Sequence, residues 1–237
     1  MKAISKTLLL SYHKNMNTRH TESGNALFYI LIAVALLAAL SFAVSQSGRS
    51  SMNNVGQERA RLMASEIIEY ADTMTNAVSQ VKLRGYADSE ISFENPTVAG
   101  YTNANCTDSI CNIFSPSGGG MIYSSPNSLA VSATGEEWQF SGAHQIEGSK
   151  TTDGDLVIYL NNVRGEVCEA INELSDVSPS GTYPQDASAV TLTAFTGTFG
   201  TGDAPNDDDT STQLASTACV ELTSPGTLTF YRVLISR

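Results

Sequence analysis

The sequence predicts an α+β fold, with one long N-terminal helix packed on a small antiparallel sheet. Three observations carry that expectation. Ala26–Val44 is an uncharged apolar run, and Val55–Leu83 places apolar residues at helical spacing. After Gly85 the chain breaks into short apolar runs separated by turn residues. The organisation read from them is a transmembrane or assembly helix over 25–48, an amphipathic extension over 49–85 and a globular domain over 86–237, preceded by a basic segment over 1–24.

The first element is set by length and composition. The 19 residues of Ala26–Val44 include eleven Leu, Ile, Val or Phe and six Ala, interrupted only by Tyr29 and Ser41. As a helix they span roughly 28 Å, close to the hydrocarbon thickness of a bilayer. The large residues alone contribute roughly −3 to −7 kcal/mol on an insertion scale, and the alanines keep faces slim for helix-on-helix packing. A secretory signal usually has a shorter apolar region than this. "AVS" at Ala43–Ser45 is the one stretch that resembles its cleavage site, and the helical continuation argues against that use. Lys2, Lys6, Lys14 and Arg19 favour a cytoplasmic N-terminus, whereas Arg49, Arg59 and Arg61 weaken the bias.

The second element is amphipathic. Met63, Ile67, Ala71, Met74, Val78 and Val81 recur at three- and four-residue intervals, with Glu58, Arg59, Glu66, Glu69 and Asp72 on the other faces. Only a Gly/Ser interruption at Ser47–Ser51 separates it from the apolar run, and Gly85 is its stop signal.

Beyond Gly85, strand candidates are Met121–Tyr123, Glu137–Phe140, Leu156–Leu160, "AVTLTAFTGTFG" and "GTLTFYRVLISR". An Asp-Gly pair before Leu156 signals a hairpin near Gly154. Asn162 is placed to cap a helix over Val163–Leu174. Ser175–Gln185 and Thr201–Thr212, rich in Ser, Pro, Gly and Asp, read as exposed loops.

The charge excludes one class of partner. Five charged residues precede the apolar run, leaving nine basic and 23 acidic residues after it, a balance of −14. Such a surface repels nucleic acid. The four cysteines Cys106, Cys111, Cys168 and Cys219 allow three pairings. A Cys106–Cys111 bridge closes a small loop, and Cys168–Cys219 ties a helix to the C-terminal region. Zinc is disfavoured because no CxxC pair is present. Oxidised cysteines place the domain outside the cytoplasm.

Catalytic chemistry is not evident. His144 is the single histidine after the apolar run and no serine elbow accompanies it. "SPSGGG" at Ser115–Gly120 lacks the lysine of a phosphate loop, and Asn105–Thr107 ("NCT") is a formal glycosylation acceptor. No catalytic or cofactor-binding residue is assigned, and the chain is read as a non-enzyme. For a metal the weak candidates are Asp203, Asp207, Asp208 and Asp209, whose hard oxygens suit calcium without EF-hand spacing. Trp138, Phe140 and Tyr159 read as core.

A short basic leader ending in Gly24, an uncharged helix, an amphipathic extension and a cysteine-bearing domain resemble a type IV pilin or type II secretion pseudopilin. With Met16 as an alternative start to Met1, "MNTRHTESG" is a leader of ordinary pilin length. "SGNALFYILIAVALLAAL", "AGYTNANC", "FSPSGGGMIY" and "VCEAIN" also resemble pilin-like envelope proteins of Gram-negative bacteria, over the chain to about Leu174. The resemblance implies cleavage by a prepilin peptidase between Gly24 and Asn25. It implies a single-pass protein of the inner membrane with a periplasmic or extracellular head, associating with itself or with other pilin-like subunits through the N-terminal helix. Two positions depart from the family: Asn25 stands where Phe is usual, and Tyr29 where a Glu pairs with a neighbour's amine. The function expected is thus an atypical or minor structural subunit of a filament or secretion apparatus. The alternative is a solitary membrane-anchored binding or adhesion module.

Overall fold

The computed structural model describes residues 23–146, 154–177, 182–189, 192–203, 216–224 and 226–237. The chain divides into two units, Met1–Met52 and Asn53–Arg237, each taken by itself below. Helix α1 runs over Ser23–Leu83, 61 residues, and contributes to both. It ends where the sequence predicts: Gly85 takes φ 97°, a conformation that costs other residues more, and its N–H closes the last turn on the Lys82 carbonyl at 2.9 Å.

In the second unit α1 supplies a spine. Met63, Ile67, Ala71, Met74, Val78 and Val81 are all buried, joined by Ala60, Ala64 and Ala77. The spacing read from the sequence is therefore the face that packs. A 3₁₀ turn at Asp88–Glu90 follows, then an irregular stretch through 138.

The strands are β1 (Gln139–Gln145), β2 (Asp155–Leu160), β3 (Gln185–Ala189), β4 (Gly202–Asp203), β5 (Thr217–Ser224) and β6 (Thr227–Ile235), with helix α2 (Gly165–Leu174) between β2 and β3. They form one six-stranded sheet in the order β3-β5-β6-β2-β1-β4. The expected antiparallel sheet is corrected here to a mixed one. Its centre is antiparallel, but β3 pairs with β5 and β4 with β1 in parallel. The cause is connectivity: after β3 the chain crosses to the far edge as β4 before returning as β5. Neither edge strand is joined to its neighbour by a hairpin, and crossover connections permit parallel pairing.

The sheet buries both faces. Every residue of β2 is buried, as expected for a strand covered on two sides. Leu156, Ile158 and Leu160 join Phe140, Phe230 and the α1 and α2 residues in one cluster. Val157 and Tyr159 join Val220, Leu222 and Tyr231 in a second. Trp138, Phe140 and Tyr159 are core as expected, but Tyr159 belongs to the opposite layer from the other two. A bulge explains the imperfect alternation of β6. Leu156 pairs with Ile235 and Val157 with Val233, so Leu234 is the extra residue, and both Leu234 and Ile235 reach the first cluster.

Other local expectations change. Met121–Tyr123 forms no strand, and of "AVTLTAFTGTFG" only Ala189 lies in one among the described residues. Phe195 and Gly200 instead make single bonds to the Phe140 and Gly142 carbonyls. Gly142 makes room for this: a Cβ there would meet the Phe195 ring at 2.7 Å. Asn162 does not cap α2. It takes φ 54° and donates to Glu136 at 2.6 Å, while Arg164 occupies the N-cap.

Buried tyrosines in both layers make the head sensitive to alkali. Burial pushes the phenols of Tyr159 and Tyr231 well up, and that of Tyr70 up to about 12. An unfolded chain releases these protons near the ordinary value of about 10. Above that pH the unfolded state holds fewer protons than the native one, so stability is complete below about pH 10 and falls as pH rises. The slope reaches about 1.4 kcal/mol per pH unit for each fully buried phenol. Phenolate absorbance should therefore rise cooperatively with loss of near-ultraviolet circular dichroism. Smooth ionisation of all nine tyrosines near pH 10 with the dichroism intact would contradict this account.

Candidate functional site

The first unit holds the strongest functional feature. Ala26–Val44 is the one segment of the described residues long and apolar enough to cross a membrane, and none of it is buried. Leu31, Leu36, Leu37, Leu40, Phe42 and Val44 each expose about 60% or more of their surface. Isolated exposed leucines are ordinary, but a 19-residue cylinder of them far exceeds the patches that soluble monomers tolerate. Such a surface needs lipid or other apolar helices around it. No carboxylate lies within it: Tyr29 is exposed beside Phe28, with ring centroids 6.5 Å apart. Ala35, Ala39 and Ala43 lie one helical turn apart, on the slim side of the cylinder.

Gly24 and Asn25, the expected cleavage pair, occupy the first turn of α1. Asp203 lies in β4, paired with Gln145. Asp207, Asp208 and Asp209 fall outside the described residues. Among the described residues no group of three or more His, Cys, Asp or Glu is arranged to hold a metal.

The cysteines resolve into Cys106–Cys111 and Cys168–Cys219. The second joins α2 to β5 inside the core, where both sulfur-bearing residues are fully buried. Asn172 reinforces that junction from one turn further along α2. Its amide donates to the Cys219 carbonyl and accepts from the Cys219 N–H, both at 2.8 Å. A side chain that satisfies both backbone groups of a strand residue acts as one more ladder rung. The sequence signal for this was small: an Asn on the buried side of an otherwise apolar helix face. Ion pairs tie the helices to their surroundings, Arg61 to Glu173 at 2.6 Å and Arg232 to Asp72 at 2.5 Å.

The remaining candidates become structural. His144 is buried, with Nδ1 3.3 Å from the Tyr159 hydroxyl, and so offers no accessible base. Trp138 stacks on Tyr70 with centroids 4.7 Å apart and donates to the Ser124 carbonyl at 3.0 Å. Ser115–Gly120 forms turns in which the Ser117 and Gly118 carbonyls accept from Arg84, an acceptor-rich arrangement opposite to what phosphate needs. A shallow groove of about 360 Å³ lies between Ser132, Asn162, Arg164 and Thr227, and the acidic Glu166 also lines it. Comparison with known proteins gives no match: no family model, no characterised protein and no solved structure aligns with this chain.

Proposed function

We propose that this chain is a pilin-like structural subunit, an atypical or minor one, of a cell-envelope filament or secretion apparatus. The supporting observation is the composition of α1. One end is a bare apolar cylinder sized for a bilayer, and the other forms the core spine of a head with two disulfides. Enzymes need a constellation of groups around a reacting atom; this reading needs only a retained helix that packs beside others. The slim Ala35–Ala39–Ala43 side lets helix backbones approach closely. In this reading the protein crosses the inner membrane once, with its head in the periplasm or beyond.

Processing tests the proposal. Co-expressed with a prepilin peptidase, the membrane-extracted protein should start at Asn25, and Gly24→Val should leave the leader attached. An unshortened wild-type chain in the presence of active peptidase sinks the reading.

Tyr29 favours a second reading, a solitary anchored binding or adhesion module. A carboxylate inside the membrane would demand a partner charge and so fix register between neighbours, and a tyrosine at this position supplies no carboxylate to do so. Single cysteines placed along Ala33–Leu40 separate the two readings. Neighbouring subunits should give a periodic cross-linking ladder, and a solitary module gives none.

A further inference from the structure

The two disulfides differ in exposure and in what holds their ends. Cys168 and Cys219 are both fully buried between α2 and β5. Cys111 is fully buried too, but Cys106 is partly exposed and lies in a stretch where Ala104, Asn105, Thr107 and Asp108 are all exposed. Thiol–disulfide exchange requires a thiolate to reach one sulfur in line with the bond, so access selects both the bridge and the sulfur attacked. Of the four sulfurs, only that of Cys106 belongs to a residue open to solvent.

The backbone around this bridge is held by contacts that do not involve sulfur. Cys111 is anchored from behind, its carbonyl accepting from Ser92 N–H at 3.0 Å while Ile113 N–H donates to the Ser92 carbonyl at 2.9 Å. The loop is organised by Asp108. One carboxylate oxygen accepts from Ile110 N–H and the other from the Tyr86 hydroxyl, both at 2.7 Å. These bonds hold the Asp108 carboxyl in its ionised form, below the usual carboxylate range. The Asp108 carbonyl oxygen lies 3.3 Å from Cys106 Sγ and 2.9 Å from Cys111 Sγ, placed to accept from either S–H once the bridge is opened. All of these groups remain after reduction and keep the two sulfurs close.

We propose that Cys106–Cys111 is a reversible exchange site for a dithiol oxidoreductase, attacked at Cys106 Sγ, while Cys168–Cys219 is a closed structural bridge. In the first step a partner thiolate bonds to Cys106 Sγ. The Cys106–Cys111 bond breaks, and its electron pair leaves on Cys111, which takes a proton. The partner's second thiolate then attacks its own sulfur in the mixed disulfide and releases Cys106, which is protonated in turn. The partner is oxidised by two electrons and this chain is reduced by two. Opening leaves the Asp108 contacts to Tyr86 and Ile110 and the buried layers intact.

The test uses the full-length chain in detergent at neutral pH without denaturant. Dithiothreitol is added in steps, free thiols are blocked with iodoacetamide, and the four cysteines are followed by peptide mapping. Cys106 and Cys111 should be labelled at least about tenfold faster than Cys168 and Cys219, with near-ultraviolet circular dichroism unchanged. With limiting glutathione as the probe, the mixed disulfide should form on Cys106. After removal of thiol and addition of oxidised glutathione, the same pair should close again. Asp108→Ala, which removes both carboxylate contacts, should slow that closure about fivefold by lowering the effective concentration of the two thiols. Equal labelling of both bridges, adduct formation on Cys111, or loss of the folded signal when the first bridge opens would each overturn the proposal. Unchanged closure in Asp108→Ala would overturn the role of the Asp108 turn.

Discussion

Arginine at both Leu36 and Leu40 should release the chain from membranes. The two leucines are 60% and 62% exposed and one helical turn apart, midway along the only apolar cylinder of the described residues. Each arginine at the centre of a spanning helix costs about 3 kcal/mol on an insertion scale. Together they cost about 6, comparable to the roughly 3 to 7 kcal/mol that all the large apolar residues of Ala26–Val44 supply. The balance therefore turns against insertion. Wild-type protein should stay in the membrane pellet after alkaline carbonate extraction, and the double variant should appear in the supernatant or be lost to proteolysis. Leu36→Val with Leu40→Val, which keeps the surface apolar, should remain in the pellet. Retention of the double-arginine variant in the pellet would show that something other than this helix holds the protein there.

How far the sequence could be read depended on whether a residue's neighbours in the chain were also its neighbours in space. Helix α1 was legible because Met63 to Val81 share one face through local periodicity, and that face is the one buried. Strand β2 was legible as a short apolar run bounded by a turn signal. Strand β1 was legible only at its start, where the Glu137–Phe140 candidate overlaps it at Gln139 and Phe140, because the following "SGAHQ" has no apolar alternation. Its Gly142 is packed by Phe195, more than fifty residues away, so the contact that makes the strand is invisible locally. Strand β5 carried a signal that went unused: Ala218, Val220 and Leu222 alternate onto one layer while Cys219 faces the other. The Thr-rich stretch before Phe199 misled in the other direction. It has strand-forming residues, but its backbone meets β1 only at isolated bonds. Strand propensity describes fitness for a pleated surface and does not supply a partner. The edge strands β3 and β4 escaped for the same reason, and with them the parallel pairings that make the sheet mixed. Cysteine pairing was open among three choices until α2 and β5 were seen side by side, and the Asn172 contact with Cys219 belongs to that same adjacency. The apolar cylinder stands apart from all of these, since its meaning needs no partner within the chain.

Removing the buried bridge should cost the head far more than removing the surface one. Cys168 and Cys219 are 51 residues apart in sequence, whereas Cys106 and Cys111 are separated by 5. Under the chain-entropy model the long loop contributes about 4 kcal/mol and the short one about 2. Both sulfurs of the long bridge are also packed in the main cluster, so Cys168→Ala with Cys219→Ala loses van der Waals contact as well. For a domain of this size about 4 kcal/mol corresponds to a fall in Tm of about 10 °C, a large part of the 5–15 kcal/mol that native domains typically possess. The fold itself should persist at low temperature, because Asn172 still holds α2 on the backbone of β5 through two hydrogen bonds. Urea titrations of the two double variants, followed by Trp138 fluorescence, give the comparison directly. The Cys168/Cys219 variant should lose about twice the stability of the Cys106/Cys111 variant. Equal losses, or the reverse order, would mean that the unfolded chain is already constrained around β5 without the bridge, and that loop entropy is not what Cys168–Cys219 supplies.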